Sequence, residues 1–260
     1  MPLNLLFGQA HILTIEHFGV EDGLSHREVN ALYQDEEGVI WIGTRQGLNR
    51  FDGYEFELIS KEKDGLSSNH IGSIVPDADG LIWLFQQYPQ PSIDLYDPFE
   101  RRVIALADKF PEALPFNLDQ IWGRGLLTGA PGHLFFRLTD KRTVIHYHPS
   151  TGIETIPLPA NLPEINSFNI SPSNEIWLLF ENHTLAVYDL RGREIRRWDR
   201  QQFYFSREVN AQGFILYAGT SQYDKQQTLF VDWLRRELLP VPKDRWVPPK
   251  AGYPSECFSA

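Results

Sequence analysis

Two stretches of this chain, residues 22–41 and 64–83, repeat one pattern of residues at a constant offset of 42. The tetrapeptide Asp-Gly-Leu-Ser at residues 22–25 returns at 64–67, and Ile-Trp at 40–41 returns at 82–83. A fixed period of this length is typical of repeat proteins, in which each unit buries its apolar face against the next unit. We therefore expect the most recognisable residues of the chain to build the repeat rather than to perform chemistry.

The first unit divides into four short segments that are rich in β-branched and aromatic residues, as strands are. The predicted strands are residues 29–34, 39–44, 48–52 and 55–59. Tight turns separate them, and in the first turn Gly38 supplies the positive φ that glycine adopts without strain. Four antiparallel strands in about forty residues are the size of one β-propeller blade.

Two independent series of residues carry the repeat through the rest of the chain. Third strands end in an apolar or aromatic residue followed by Asp or His, at residues 51–52, 96–97, 147–148, 188–189 and 231–232. Second strands carry a pair of hydrophobic residues, at 40–41, 82–83, 134–135, 176–177 and 215–216. The sequence therefore predicts an all-β fold, a β-propeller of four-stranded antiparallel blades with about five blades in residues 11–241.

The two ends of the chain are predicted to lie outside the blades. Residues 1–10 contain Leu-Leu-Phe followed by Gly-Gln-Ala, which resembles the end of an export signal but lacks a basic start. They are predicted to be either a signal-peptide remnant or a disordered start. Residues 242–260 are rich in proline and are expected to be an inter-blade connection at which the chain is truncated.

Charge and cysteine content exclude several classes of function. The formal net charge is −10, and an acidic surface repels nucleic-acid phosphates and anionic lipid, so no nucleic-acid partner is predicted. Cys257 is the single cysteine, so the chain can form neither an intrachain disulfide nor a thiolate metal cluster. No apolar run approaches the roughly 20 residues of a membrane helix. The sequence also has no phosphate loop and no recognisable catalytic motif, so no cofactor and no catalytic residue are predicted.

The repeated phrases closely resemble the two-component regulator propeller repeat. The family pattern begins DGLSSN, continues as D-x-x-G-x-I-W-I-G-T and ends as G-L-N-R-Y-D-G. This chain has DGLSSN at residues 64–69, DEEGVIWIGT at 35–44 and GLNRFDG at 47–53. The resemblance is specific over residues 21–97 and weaker over 130–232, where Gly-Thr and Gly-Leu-Asn-Arg are mostly missing.

The resemblance implies a fold and a setting that composition alone does not show. Such repeats form seven-bladed propellers, so about five blades would be a fragment of one ring. They make up the periplasmic sensor region of hybrid two-component histidine kinases, which bind carbohydrate breakdown products. The resemblance therefore implies a non-enzymatic, periplasmic sensory module that binds an oligosaccharide and forms a homodimer in the full-length receptor. Membrane and kinase segments would lie outside this chain.

Several conspicuous residues have a structural interpretation. Asp35 and Asp77 stand at the start of Asp-x-x-Gly turns, where a carboxylate accepts backbone N–H bonds. Trp41 and Trp83 occupy the same second-strand position and are expected to pack between sheets. His146 and His148 share one strand face, but two histidines are only half of a zinc site, so no metal is predicted.

Recognition is expected in the loops that vary between repeats, because loops on a rigid scaffold carry function. In a propeller, the connection into each blade and the turn between its second and third strands open on one face. Tyrosine, tryptophan, arginine and amide side chains there suit sugars. The candidate ligand-binding residues are Arg27, Arg45, Asn69, His70, Gln87, Tyr88, Trp122, Arg124, His183 and Tyr223.

Two alternatives remain open from the sequence. A propeller enzyme acting on polysaccharide, a lyase or a hydrolase, would need two acids or a His or Tyr base beside Arg on one face. A purely structural spacer would leave ligand recognition to another propeller of the receptor.

Overall fold

Five four-stranded antiparallel sheets make up almost all of the structure, a computed structural model that describes residues 16–86, 88–111, 114–122, 126–199, 203–210, 213–219, 225–232 and 234–240. Each sheet is one blade, and its strands are hydrogen-bonded in chain order. The predicted all-β propeller blades are therefore confirmed.

The strand bounds follow the repeat closely. In chain order the strands are β1 Val29–Gln34, β2 Ile40–Thr44, β3 Gly47–Phe51, β4 Phe56–Ile59, β5 Ile71–Pro76, β6 Ile82–Gln86, β7 Ser92–Asp97, β8 Arg102–Ala105, β9 Leu127–Thr128, β10 Leu134–Arg137, β11 Val144–His148, β12 Gly152–Thr155, β13 Ile165–Ile170, β14 Ile176–Phe180, β15 Leu185–Tyr188, β16 Glu194–Trp198, β17 Phe203–Asn210, β18 Gly213–Gly219, β19 Lys225–Asp232 and β20 Glu237–Pro240. Successive groups of four strands form blades 1 to 5.

Helical segments are short and occur only in connections within the described part of the chain. They are the helices α1 Lys61–Asp64 and α2 Leu106–Lys109, and 3-10 turns at Val20–Asp22 and Leu118–Gln120. None of these described helices has both the length and the apolar character needed to cross a membrane. The predicted end segments, residues 1–10 and 242–260, lie outside the described residues.

The long connection between blades 2 and 3 partly extends the third blade. Ile121 forms an isolated antiparallel bridge with Leu138, and the Trp122 N–H donates to the Arg137 carbonyl at 2.8 Å. The backbone around residue 121 thus runs beside the end of β10 and irregularly extends the edge formed by β9, the first strand of blade 3. This pairing explains how the step between third strands can be longer here without breaking the repeat.

The aspartates of the Asp-x-x-Gly turns do more than cap the turn. Asp77 Oδ1 accepts the backbone N–H groups of Asp79 and Leu81, while Oδ2 accepts the indole N–H of Trp83 at 2.8 Å. Asp35 makes the same three bonds in blade 1, with Trp41 as the indole donor. The predicted turn-capping role is therefore confirmed, and each aspartate also orients the tryptophan of its own blade.

The oriented aromatic residue of each blade packs against the third strand of the next blade. Trp41 lies 5.4 Å from Tyr96 between ring centres, and Trp83 lies 4.4 Å from Tyr147. Both tryptophans are buried in clusters that join neighbouring sheets, as predicted from their shared position. The Tyr147 hydroxyl adds a 3.3 Å bond to Asp77, so blades 2 and 3 share one polar contact at this seam.

Blade 3 lacks this aspartate–tryptophan pair altogether. Its turn begins at Gly129 and its second strand carries Phe135, at the positions of Asp77 and Trp83. Losing both partners avoids leaving a buried carboxylate or a buried indole N–H without its bond, which is the costly outcome. In blade 4 the same turn starts with Ser171, whose hydroxyl accepts the Glu175 N–H at 3.0 Å.

The repeated Asp-Gly-Leu-Ser phrase ties the connections into blades 1 and 2 to the third strand of the same blade. The Ser67 backbone N–H and hydroxyl donate to the two carboxylate oxygens of buried Asp94. In blade 1 the Ser25 N–H donates to Asn49 Oδ1 at 2.9 Å. Leu66 is buried in the cluster between blades 1 and 2, so the predicted scaffold role of this phrase is confirmed.

A double-mutant cycle should measure the coupling within the aspartate–tryptophan pair. Asp77→Ala is expected to cost about 2–4 kcal/mol, because it removes the three bonds within blade 2 and the bond from Tyr147, and leaves a buried indole N–H unsatisfied. The double variant Asp77→Ala/Trp83→Phe should lose about 1–2 kcal/mol less unfolding free energy than the two single variants lose together. Urea unfolding of the four proteins gives these free energies.

The matched control combines Asp77→Ala with Trp41→Phe, since these residues have no common hydrogen-bond partner. That pair should be additive within about 0.5 kcal/mol. Equal coupling in both cycles would contradict the pairing.

Candidate ligand-binding face

One face of the blades is built by the connections into each blade and the turns after each second strand, and we call it the entry face. Backbone hydrogen bonds join these loops between neighbouring blades. The Gly47 N–H donates to the Asn69 carbonyl at 2.7 Å, and the Ile165 N–H donates to the Lys141 carbonyl at 2.7 Å. The Phe203 N–H likewise donates to the His183 carbonyl at 3.0 Å. Loops of adjacent blades are therefore held together on this face.

Four side chains from two blades converge on the entry face, and we call them the entry cluster: Glu28, Arg45, His70 and Tyr88. Arg45 Nε lies 3.1 Å from Glu28 Oε1, and both side chains are about half exposed. The His70 and Tyr88 rings lie 6.3 Å apart between centres. The charges of Arg45 and Glu28 both act on His70, which links the two pairs. The cluster offers a cation, an anion, an imidazole and a phenol at one surface.

Tyr88 is the exposed aromatic of the entry cluster, with 69% of its surface accessible. Its backbone is held by Ser68, whose hydroxyl donates to the Tyr88 carbonyl and accepts the His70 N–H. One serine therefore holds the backbone of both residues. An exposed ring on a fixed backbone is suited to stacking on an apolar ligand surface at low entropic cost.

A buried polar network supports this loop from below. Gln86 Nε2 donates to Asp94 Oδ2 at 2.7 Å, and the Ser92 hydroxyl donates to Gln86 Oε1 at 2.5 Å. Asp94 also accepts the two Ser67 bonds described above, so its carboxylate is satisfied without a cation. These bonds join both ends of the loop carrying Tyr88 to the connection that carries His70.

The pKa of His70 depends on its burial and on the two charges of the entry cluster. Partial burial lowers the pKa of the His70 imidazole, the positive charge of Arg45 lowers it further, and Glu28 opposes both. His70 is therefore mainly neutral at pH 7, so it presents one nitrogen that accepts and one that donates.

Two predicted site residues are engaged in structural contacts. The Asn69 amide oxygen accepts the Lys61 N–H, and its NH₂ group donates to Glu62, so both ends of the amide are bound within the connection. Trp122 carries the guanidinium of Arg137 over its ring at 4.0 Å, which covers one ring face. That Asn69 and Trp122 bind a ligand stays a prediction. Their contacts favour a structural role beneath the entry face.

Arg137 shows why Trp122 lies where it does. It occupies the position of Gly43 in blade 1, where a Cβ atom would lie 2.8 Å from Ile71 Cγ2. In blade 3 the buried Arg137 side chain instead donates to the Ile165 carbonyl of blade 4. Its guanidinium needs a partner surface, which the indole of Trp122 provides through a cation–π contact.

Of the remaining predicted residues, two lie among the described residues and three lie outside them. Arg27 is exposed in the connection into blade 1. His183 lies in the turn after the second strand of blade 4, with a left-handed backbone at φ 64°. Gln87, Arg124 and Tyr223 lie outside the described residues, so they remain predictions.

Sequence reasoning missed Glu28 and Ser68. Glu28 is important because its carboxylate pairs with Arg45, and Ser68 because it holds both Tyr88 and His70. The available signal was topological, since all of these residues lie in loops that a propeller brings to one face. The particular pairs depend on side-chain reach across loops, which no spacing in the sequence reveals.

The opposite face, formed by the turns that lead into the second and fourth strands, is called the turn face here. His146 and His148 approach it from one side of β11, as predicted, and His133 joins them from the adjacent turn. Across the described ranges, no group of three or more His, Cys, Asp or Glu side chains has an arrangement that could hold a metal ion.

Comparisons with known proteins agree with this architecture. Residues 23–46 match the sequence model of the two component regulator propeller, which confirms the resemblance of the repeats. Over 37 residues the chain is 51% identical to histidine kinase P4 of Formosa agariphila, covering 14% of this chain and 3% of that kinase. Each match covers only a small part of this chain, and the chain spans only a small part of that kinase.

Solved structures share the fold over most of the chain. One is the extracellular domain of a hybrid two component system from B. thetaiotaomicron, with a TM-score of 0.56 and 19% identity, covering 86% of this chain and 31% of that one. Another is virginiamycin B lyase from Staphylococcus aureus with quinupristin, with a TM-score of 0.54 and 11% identity, covering 85% and 71%. At such low identities, the structural similarity shows a shared propeller fold and no more. This fold occurs in sensors and in enzymes alike.

Removing the positive charge and removing the negative charge of the entry cluster should shift the pKa of His70 in opposite directions. Arg45→Gln is expected to raise the pKa of His70, because a nearby positive charge is removed. Glu28→Gln should lower it, because the opposing negative charge is lost. NMR titration of the imidazole resonances measures both shifts. His148, on the turn face, serves as the control, and its titration curve should be the same in the variants as in the wild type. An equal change at His148, or no change at His70, would contradict the cluster.

Proposed function

We propose that this chain is a sensory, ligand-binding propeller module of a two-component regulator of the hybrid histidine kinase type, and that its ligand is an oligosaccharide. The match of residues 23–46 to the regulator propeller and the match to a histidine kinase support the regulator setting. Signal output would come from kinase segments elsewhere in the receptor, so this module itself would not be an enzyme.

The observation that carries the binding role is the entry cluster. The repeated residues of the blades are used for packing and turn capping, whereas Arg45, His70 and Tyr88 vary between repeats and meet at one surface. An exposed ring beside donors and acceptors is the combination that sugars require, since a ring face packs on C–H groups and polar side chains bind hydroxyls. Ser68 and the Asp94 network keep this surface in place before a ligand arrives.

An extracytoplasmic location and a dimeric receptor are parts of the same proposal. The B. thetaiotaomicron structure that shares the fold is an extracellular domain, which is the setting expected of a nutrient sensor. A rigid propeller transmits a signal only if the ligand favours one arrangement of the receptor over another. Two copies meeting as a homodimer would provide such a pair of arrangements.

Binding to an oligosaccharide panel tests the proposal. The 260-residue chain is titrated calorimetrically with oligosaccharides prepared by partial hydrolysis of individual polysaccharides. We expect saturable binding of at least one of them, and Tyr88→Ala should weaken it at least about tenfold, or about 1.4 kcal/mol, through loss of the stacking surface.

Tyr54→Ala is the matched control, because Tyr54 is a 92% exposed tyrosine in the turn between β3 and β4, on the turn face. It should leave the affinity unchanged. Equal losses from both variants, or no binding across the panel, would contradict the proposed site. Mass spectrometry of the titrated oligosaccharides tests the enzyme alternative, since shortened or unsaturated products would show a hydrolase or a lyase.

A further inference from the structure

Three of the positions at which blade 3 departs from the repeat carry histidine. His133 occupies the position of Val39 and Leu81, and His146 faces Phe135 as Leu95 faces Trp83. His148 replaces the aspartate that caps the turn between third and fourth strands, as Asp97 does in blade 2. Departures from a scaffold pattern that meet in space point to a role beyond packing.

The three rings form a contact array at the seam between blades 3 and 4, and we call it the histidine array. His133 Nδ1 lies 2.7 Å from His146 Nε2, and the two ring planes are nearly parallel, 14° apart, with centres 5.0 Å apart. The His148 ring centre lies 4.3 Å from that of His133. His146 is only 2% exposed and its Nδ1 lies 2.9 Å from Glu154 Oε1.

The array joins the apolar seam through Phe135. The ring of His146 stacks on Phe135 with centres 4.8 Å apart. Phe135 in turn belongs to the buried cluster that includes Ile170, Ile176 and Tyr188 of blade 4. The Ala130 N–H beside the array also donates to Asn174 Oδ1 of blade 4 at 2.7 Å. Movement of His146 would therefore disturb the contact between the two blades.

Hydrogen bonding allows the His133–His146 pair one added proton but not two. An ionised Glu154 accepts from His146 Nδ1–H, which leaves His146 Nε2 as the acceptor of His133 Nδ1–H. A first proton can enter at His133 Nε2 and keep every bond. A second proton, on His146 Nε2, would place hydrogens on both facing nitrogens and break the bond between the rings.

Other charged groups near the seam are already paired. On blade 4 the Tyr188 hydroxyl donates to Glu194, which Arg197 also binds. On blade 2 the Ala78 turn lies against Gly132, with Asp77 bound to Trp83 and Asp79 within 4.0 Å of Lys109. The charge of the array is therefore controlled mainly by its own rings and Glu154.

Electrostatics agree with this limit on protonation. Burial lowers the pKa of His146, the nearby Glu154 carboxylate raises it, and the charge of His148 lowers it. Burial and the charges of His148 and His146 lower the pKa of His133. The unfolded chain thus takes up protons at a higher pH than the folded array does. Stability should therefore fall as the pH drops below the ordinary histidine value of about 6.5.

We propose that the histidine array is a proton-operated latch, in which protonation of the His133–His146 pair beyond one charge separates these two rings and loosens the seam between blades 3 and 4. The latch lies on the turn face and is independent of the entry cluster. It would make the rigidity of the module depend on the acidity of its surroundings.

The test replaces the two bonded rings by the residues that other repeats use, in the double variant H133V/H146L. Melting temperatures of the full 260-residue chain are measured from pH 8 to pH 5. The wild type should lose thermal stability below about pH 6.5, and the variant should lose much less over the same range. Hydrogen exchange in β10, β11, β13 and β14, corrected for intrinsic pH dependence, should accelerate at least tenfold on acidification in the wild type only.

His26→Ser is the matched control. His26 Nδ1 accepts the Glu28 N–H as the hydroxyl of Ser68 accepts the His70 N–H one repeat later, so serine preserves the bond. This variant should keep the acid response of the wild type. The same response in H133V/H146L would overturn the latch.

NMR of the wild-type imidazoles tests the latch even if the double variant fails to fold. We expect His133 to accept its proton before His146, with the second proton accompanied by faster exchange at the seam. Independent titrations of His133 and His146, both near the ordinary histidine value, would overturn the proposal.

Discussion

The structure depends on the contact between the second-strand aromatic ring of one blade and the third strand of the next. A four-stranded sheet cannot bury its own faces, so each blade is stable only against its neighbours. The aspartate of the preceding turn sets the orientation of the ring, because its carboxylate accepts the turn N–H groups and the indole N–H together. One residue thus joins local turn geometry to packing between blades.

Much of this scaffold could be predicted from the sequence because it depends on local rules. Gly38 and Asp35 define a turn, and alternating apolar residues define strands that end within one or two residues of their predicted bounds. The entry cluster could be predicted only as a face. Its pairs, such as Arg45 with Glu28, depend on how side chains reach across loops, and the amide of Asn69 is used inside its own connection.

The same limit applies to the histidine array. Period-two alternation placed His146 and His148 on one side of β11, but His133 comes from a turn whose direction depends on Gly132 and on close contact with Ala78 of blade 2. In blade 3 the aspartate and the tryptophan are both absent, so the turn is not held by that pair and polar rings can occupy the seam. The least regular blade is therefore the one where sequence reasoning is weakest.

Under the proposed function, the bonds between loops of the entry face decide how a ligand would act on the blades. Loops on the entry face are bonded across blades, so under the proposed function a ligand that contacts Tyr88 and Arg45 would act on two sheets at once. A ligand changes an equilibrium only through unequal affinity for its two states. If those states differ in how neighbouring blades are seated, then binding at the seam of blades 1 and 2 discriminates between them directly. A change confined to one loop would leave the packed rings, and therefore the rest of the propeller, as they were.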